Sequence, residues 1–329
     1  MKIEISELMN KKGVMYNWAN KVQRGLELSE EEQEISEVVD AWAKEIGVRG
    51  TDPNNEIAEY IRKVVEPEVF NPDDRLLNAL FNIGSIGEFD EKAAEVLPEN
   101  TLKVYEAVRG GNVPKSYIDP AVFTVSTVKL QCETEIKYSD LRKNGYKSIA
   151  KLTELAEEAL QNEKYFRLLN AVDNALATGK ENDIAAGGAN LTMAAMDNLT
   201  TYLLDRGSNP QIIGLTKYTN KISKMDGFEG YLSEDMKNEL NRNGRIAMYS
   251  GVAINGVSSA RKTGHGQTLV PDKRILGIAD KVGDLDMRGE LRVLQTMDNN
   301  NQKVHLIFTG YDFDYVLYRL DKMARITLS

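Results

Sequence analysis

KSIAKLTELAEEALQNEKYFRLLNAVDNALAT, residues 147–178, is an uninterrupted helical pattern without proline or glycine. A helix of about 32 residues is roughly 48 Å long, several times the length of an average globular helix. Gly179 follows it at the position where helices commonly stop. Apolar residues recur close to helical spacing and predict one buried stripe: Leu152, Leu155, Ala159, Phe166, Leu169, Val172 and Leu176. The sequence therefore predicts a long structural helix.

The residues before this helix have the pattern of strands. Residues 101–108 and 121–137 are rich in β-branched residues and alternate in polarity, and two glycines and two prolines fall between them. This pattern predicts a long β-hairpin with a loose tip. Because its strands are partly polar on both faces, the hairpin needs a partner surface, which another copy of the chain could supply.

The residues after the long helix predict an α/β section followed by a nearly all-β section. We expect helices over 190–207, 217–225 and 233–244, and strands over 211–216, 245–257, 274–283, 289–296, 303–310 and 313–328. The predicted fold class is therefore α+β.

The first hundred residues are predicted to form an acidic helical arm. They hold 22 acidic against 11 basic residues, whereas residues 101–329 hold 28 against 30. A helix over 3–46, restarted by the capping box of Ser29 and Glu32, precedes a short helix at 57–65 and an extended stretch at 66–74. We expect this section to drape over a neighbour's basic patch, although an acidic solvated helix face would have the same charge pattern.

Composition and motifs give little support for a catalytic, cofactor or metal site. Cys132 is the single cysteine, which indicates a reducing compartment, and we expect neither an export signal nor a membrane span. The loop 258–272 contains a possible triad of Ser258, His265 and Asp272, but no nucleophile-elbow motif surrounds the serine. We predict no catalytic residue, cofactor site or metal site. Net acidity also opposes attraction to phosphate, so any contact with DNA should be weak and non-specific.

Three segments of the second half carry a resemblance to a known family. They are NELNRNGRIAMYSGVAING (238–256), VPDKRILGIADKVG (270–283) and VHLIFTGYDFDYVLYRLDKMARITL (304–328). Together with the order of predicted elements from about residue 75 on, they resemble the major capsid proteins of tailed double-stranded DNA phages, which have the Hong Kong 97-type capsid fold. The match lies in element order and carries no catalytic signature.

The resemblance implies a division of the chain into parts. Residues 1–100 would form the N-terminal arm, and residues 101–137 the extended loop that reaches across a neighbouring subunit. The peripheral domain with its spine helix would comprise 138–180 and 285–310, and the axial domain 181–284 and 311–329. The implied function is a structural head protein, not an enzyme, that assembles as hexamers and pentamers into an icosahedral shell around packaged DNA in the virion capsid.

The same resemblance indicates contact residues and partners. Candidates for contacts between subunits are the loop residues Arg109, Gly110, Gly111 and Lys115 and the turn residues Asn299, Asn300 and Asn301. Some relatives join a loop lysine to an asparagine covalently, but we expect a non-covalent contact here. The expected partners are other copies of the chain, with portal and scaffolding proteins.

Two alternatives remain open at this stage. An encapsulin-type compartment would share the fold but enclose cargo enzymes. A soluble α/β enzyme using the 258–272 loop would belong to a different class and would exist as a monomer or small oligomer.

Overall fold

A computed structural model of the chain describes residues 17–18, 21–22, 26–52, 55–69, 75–90, 95–96, 103–104, 106, 121–188, 190–228 and 233–328. Its helices are α1 Glu30–Arg49, α2 Glu56–Val69, α3 Arg75–Leu80, α4 Tyr138–Asn144, α5 Tyr146–Ala175, α6 Met193–Arg206, α7 Thr216–Thr219 and α8 Glu234–Asn243. Its strands are β1 Phe81–Ile86, β2 Glu95–Val96, β3 Ala121–Val122, β4 Ser126–Lys137, β5 Asp183–Ala185, β6 Gln211–Leu215, β7 Met248–Tyr249, β8 Val252–Val257, β9 Arg274–Ile278, β10 Gly283–Arg288, β11 Arg292–Asp298, β12 Lys303–Leu317 and β13 Met323–Thr327.

The predicted long helix is present as α5, and it ends at Ala175, four residues before Gly179. Leu152, Leu169, Val172 and Leu176 are buried as predicted, but Leu155 is 53% exposed. The buried row instead follows steps of four, through 152, 156, 160, 164, 168 and 172. Such a row turns about 40° around the helix with each step, so the two halves of α5 bury different sides.

The first sheet is built around β12. Its strand order is β1-β10-β12-β11, and β4 pairs with β12 along the opposite side. Residues 126–137, predicted as part of a hairpin with 101–108, pair antiparallel with β12 along one side, and the described residues 103–104 and 106 lie in no strand. Residues 121–122 pair with 95–96. Most of 101–108, and all of 107–120, lie outside the described residues. Strand β4 is half-polar because only one of its faces covers the core.

The second sheet has the order β5-β13-β9-β6-β8-β7. Helix α6 packs on one face through Leu199 and Leu203, which lie over Gly277 of β9, where a side chain would collide with both. The other face contributes Leu276 and Ile278 to the core cluster that also contains α5 and the first sheet. Helix α5 therefore connects the two sheets.

The amino-terminal section is part of this core in the described residues. Val39 and Ile61 are fully buried, and the ring of buried Trp18 meets Tyr60 at a centroid distance of 6.2 Å. Helix α1 packs on α4, α2 packs on α5 and β11, and β1 pairs parallel with β10. The expectation of a draped arm is thus wrong for this section, because its apolar faces are covered by its own chain. Helix α2 also continues through residues 66–69, which were expected to be extended.

Candidate assembly surfaces

The predicted contact residues fall into two groups. Arg109, Gly110, Gly111 and Lys115 lie outside the described residues, so their role stays a prediction. The three asparagines 299–301 lie in the turn that connects β11 to β12, at one end of the first sheet.

Asn299 holds the turn against two helices. Its Oδ1 accepts a hydrogen bond from Tyr138 Oη at 2.8 Å, and that hydroxyl also lies 3.3 Å from the carbonyl oxygen of Gly50. Gly50 caps the end of α1 with a φ of +64°, and Tyr138 begins α4. Burial raises the pKa of Tyr138, so the phenol stays protonated and can donate. The side chain of Asn299 therefore has a structural partner within its own chain.

Asn301 is held by Asp298 across the same turn. The Asp298 carboxylate accepts from the Asn301 backbone N–H at 3.0 Å and from its Nδ2 at 2.7 Å. These bonds, the backbone one foremost, lower the pKa of Asp298. A carboxylate with a lowered pKa is a weaker base, so it is less able to take the proton from an attacking lysine amine. The turn therefore favours a non-covalent role for Asn301, and Asn300 between them is exposed.

One large apolar side chain is exposed on the outer face of the first sheet. Leu294 on β11 is 55% exposed and pairs with Ile307 on β12, whose other neighbour is Glu133 on β4. A salt bridge between Lys303 and Glu135, with the atoms 2.6 Å apart, lies at one side. The exposed apolar surface here is therefore a single leucine among polar and charged neighbours, which is ordinary for a protein surface.

The carboxyl end of α5 is fixed to the second sheet by a buried ionic network. Arg325 of β13 donates from Nε to Asp183 at 2.8 Å and from Nη1 to the Asp173 carboxylate at 3.2 Å. The three side chains are only 5%, 9% and 12% exposed. The hydrogen bond from Arg325 lowers the pKa of Asp183 to about 2. Asp183 is therefore ionised at neutral pH and balances the buried guanidinium.

A second buried ion pair braces the first sheet. Arg288 of β10 pairs with Asp314 of β12, whose side chain is fully buried. The guanidinium also donates from Nη1 to the carbonyl oxygens of Glu88 and Asp90, at 3.0 and 2.8 Å. The pair thereby ties the turn after β1 to the middle of the sheet.

The loop 258–272 is held in place by hydrogen bonds that do not form the possible triad. Asp272 accepts from Tyr218 Oη at 2.9 Å and pairs with Lys217 at 2.5 Å, and the hydrogen bond from Lys217 lowers its pKa. Ser258 Oγ accepts from the backbone N–H of Ala260. Arg261 Nη2 donates to Asn162 Oδ1 of α5 at 2.9 Å. This loop is therefore bound to the long helix.

Two kinds of feature are absent from the described residues. In that part of the chain no group of three or more His, Cys, Asp or Glu side chains is arranged to hold a metal ion. Across the same residues, no helix is both long and apolar enough to cross a bilayer.

Comparisons with known proteins agree with this geometry. Three phage structures share the fold: the mature capsid of bacteriophage PhiM1 (16% identity, 75% of this chain and 86% of that chain, TM-score 0.51), Gordonia phage Cozz (12%, 80% and 87%, 0.54) and Microbacterium phage Oxtober96 (13%, 78% and 91%, 0.54). A search of curated proteins returned no match.

The sequence comparison identifies the family. Residues 15–326 match the family described as "SPbeta prophage-derived putative capsid protein YonB". The fold is the Hong Kong 97-type capsid fold predicted from the sequence. The protein is a structural shell protein located in the virion capsid. The chain belongs to the YonB family of phage capsid proteins.

Proposed function

We propose that the protein is the major capsid protein of a tailed-phage head and assembles as hexamers and pentamers into an icosahedral shell around double-stranded DNA. The observation that carries this proposal is the family match over residues 15–326, combined with a capsid fold.

The division into parts belongs to this proposal. Of residues 1–100, the N-terminal arm would be the part that precedes Asn17, because the described part packs on the chain's own core. The extended loop would lie within residues 101–137, before β4. The peripheral domain would hold 138–180 with the first sheet from residue 285, and the axial domain 181–284 with the carboxyl-terminal residues. Strand β12 runs without a break to Leu317, so we place the end of the peripheral domain after Leu317 and not after residue 310.

The contact residues and partners are proposed on the same basis. Arg109, Gly110, Gly111 and Lys115 would touch the neighbouring subunit, and the turn 299–301 would contribute through its exposed Asn300. Portal and scaffolding proteins would join assembly, DNA would be contacted weakly, and the protein would work without a catalytic site.

Negative-stain microscopy and light scattering of the purified chain test the proposal. We expect closed particles, or capsomers that close when scaffolding protein is added. A protein that stays monomeric under both conditions at high concentration would contradict it. Purified particles that contain a cargo enzyme would favour an encapsulin-type compartment instead. A melting temperature that rises with a small metabolite bound at loop 258–272 would favour the enzyme alternative.

A further inference from the structure

Strand β4 has an open edge. One side of its twelve residues pairs with β12, and within the described part of the chain no strand pairs with the other side. Such an edge presents a row of backbone N–H and C=O groups on which a further strand can add.

A groove of about 570 Å³ runs beside this edge. Residues 132–136 of β4 line one wall, and residues 147–156 of α5 line the other. Both the inward-facing and the outward-facing residues of β4 border it, as expected where a strand lies open along its side. The groove therefore offers backbone hydrogen bonds and side-chain contacts together.

Leu155, which the helical pattern predicted to be buried, lies in this groove. Leu155 is 53% exposed beside the buried Leu152 and Ala156. Its exposure in the isolated chain is accounted for if another segment covers it. The rim carries charge of both signs, with Glu133 on the strand and Lys147 on the helix. An occupant should be extended, apolar on one face and charged on the other.

The first residues of the chain have this pattern. In KIEIS, residues 2–6, Ile3 and Ile5 alternate with Lys2, Glu4 and Ser6, which is the period of a strand. This interpretation departs from the helix predicted from residue 3 onward. Residues 107–120, also outside the described part, contain two prolines and a glycine pair, which suit strand addition poorly.

We propose that residues 2–6 of a neighbouring copy add to the open edge of β4 as a strand, with Ile3 and Ile5 over Leu155. The inference deepens the proposed function, on which it rests, by naming the partner segment of this surface. Sixteen residues precede Asn17, the first described residue, and they can span up to about 55 Å when extended.

The native cysteine provides a direct test. Cys132 lines the groove and is the single cysteine of the chain, so Ile3→Cys and Ile5→Cys each create one possible disulfide pair. Neighbouring strands bring facing Cα atoms within the range that a disulfide needs. Because burial raises the pKa of the Cys132 thiol, oxidation should be run at mildly alkaline pH. Glu4→Cys is the matched control, because it places the thiol on the other face.

The expected result is a ladder of covalent oligomers on non-reducing gels that disappears with reductant. At least one isoleucine variant should give on the order of tenfold more product than Glu4→Cys, since alternate residues face opposite sides. A second experiment distinguishes a disulfide between two chains from one within a chain. A double variant, Ile5→Cys or Ile3→Cys combined with Cys132→Ser, is co-assembled with wild-type chains. Its new cysteine can then reach Cys132 only on another chain, and mass spectrometry detects that mixed disulfide.

Every other result contradicts a specific part of the proposal. A disulfide formed only within one chain would mean that the segment covers its own groove. Equal yields from Glu4→Cys and the isoleucine variants would show simple proximity without a strand. Normal particles without a disulfide would remove this inference and leave the proposed function intact, whereas wild-type chains that form no particle at all would remove the proposed function as well.

Discussion

The most informative perturbation is Arg325→Met in the network that holds α5 to the second sheet. Methionine keeps much of the apolar stem but removes the four hydrogen bonds that the guanidinium makes to Asp173, Asp183 and Thr178. Two carboxylates would then remain buried with their main counter-charge gone. Breaking a buried pair in this way costs about 3–5 kcal/mol.

Urea unfolding of the variant and the wild type measures the cost. We expect the free energy of unfolding at pH 7 to fall by about 3–5 kcal/mol. Lys237→Met is the control, because Lys237 pairs with Glu234 on the exposed side of α8 and its loss should cost less than about 1 kcal/mol.

The stability difference between wild type and Arg325→Met should also depend on pH. Because the folded pKa of Asp183, about 2, lies below its ordinary value of 3.8, this group stabilises the fold above pH 4 and loses that effect as pH falls towards 2. The difference between wild type and Arg325→Met should therefore shrink over that window. A difference below about 1 kcal/mol at pH 7, or one that does not change with pH, would refute the argument.

Three further predictions address packing and assembly. Leu169→Asp places a charge in the core and should cost several kcal/mol in urea unfolding, while Leu155→Asp should leave unfolding within about 1 kcal/mol yet reduce particle yield; equal costs would contradict the assigned faces. Gly283→Ala puts a Cβ 1.9 Å from a backbone oxygen and should cost about 2 kcal/mol or more, whereas Gly264→Ala meets no atom within 4 Å and should be nearly neutral. Deleting residues 109–119 should leave a folded chain that forms no closed particles under the microscope, and normal particles would argue against the loop's role.

Local patterns predicted local structure well. The helix at 147–178 was found at 146–175, because an uninterrupted period of that length has few alternatives. The capping box was also confirmed, with Ser29 Oγ accepting from the Glu32 N–H and the Glu32 carboxylate accepting from the Ser29 N–H. Each of these features depends on residues only a few positions apart.

Pairing and burial were harder to predict because they depend on residues far apart in the chain. Alternation identified residues 126–137 as a strand but not β12 as its partner, which begins at residue 303. The Arg325 network joins residues separated by 142 and 152 positions, and no spacing in the sequence indicates it. The candidate contacts at 109–115 came from the family resemblance alone, whereas the groove beside β4 became visible only in three dimensions.

The distribution of buried groups has a consequence for assembly. One apolar cluster runs from Val39 of α1 through α5 and the first sheet to Leu276 of the second. The Arg325 and Arg288 pairs brace this cluster on both sheets, so bending inside it would separate buried charges. If copies occupy both five-fold and six-fold positions, the difference in curvature should therefore be absorbed at the contacts between copies. Strand addition suits that role, because backbone hydrogen bonds along an edge tolerate changes in twist that a packed core does not.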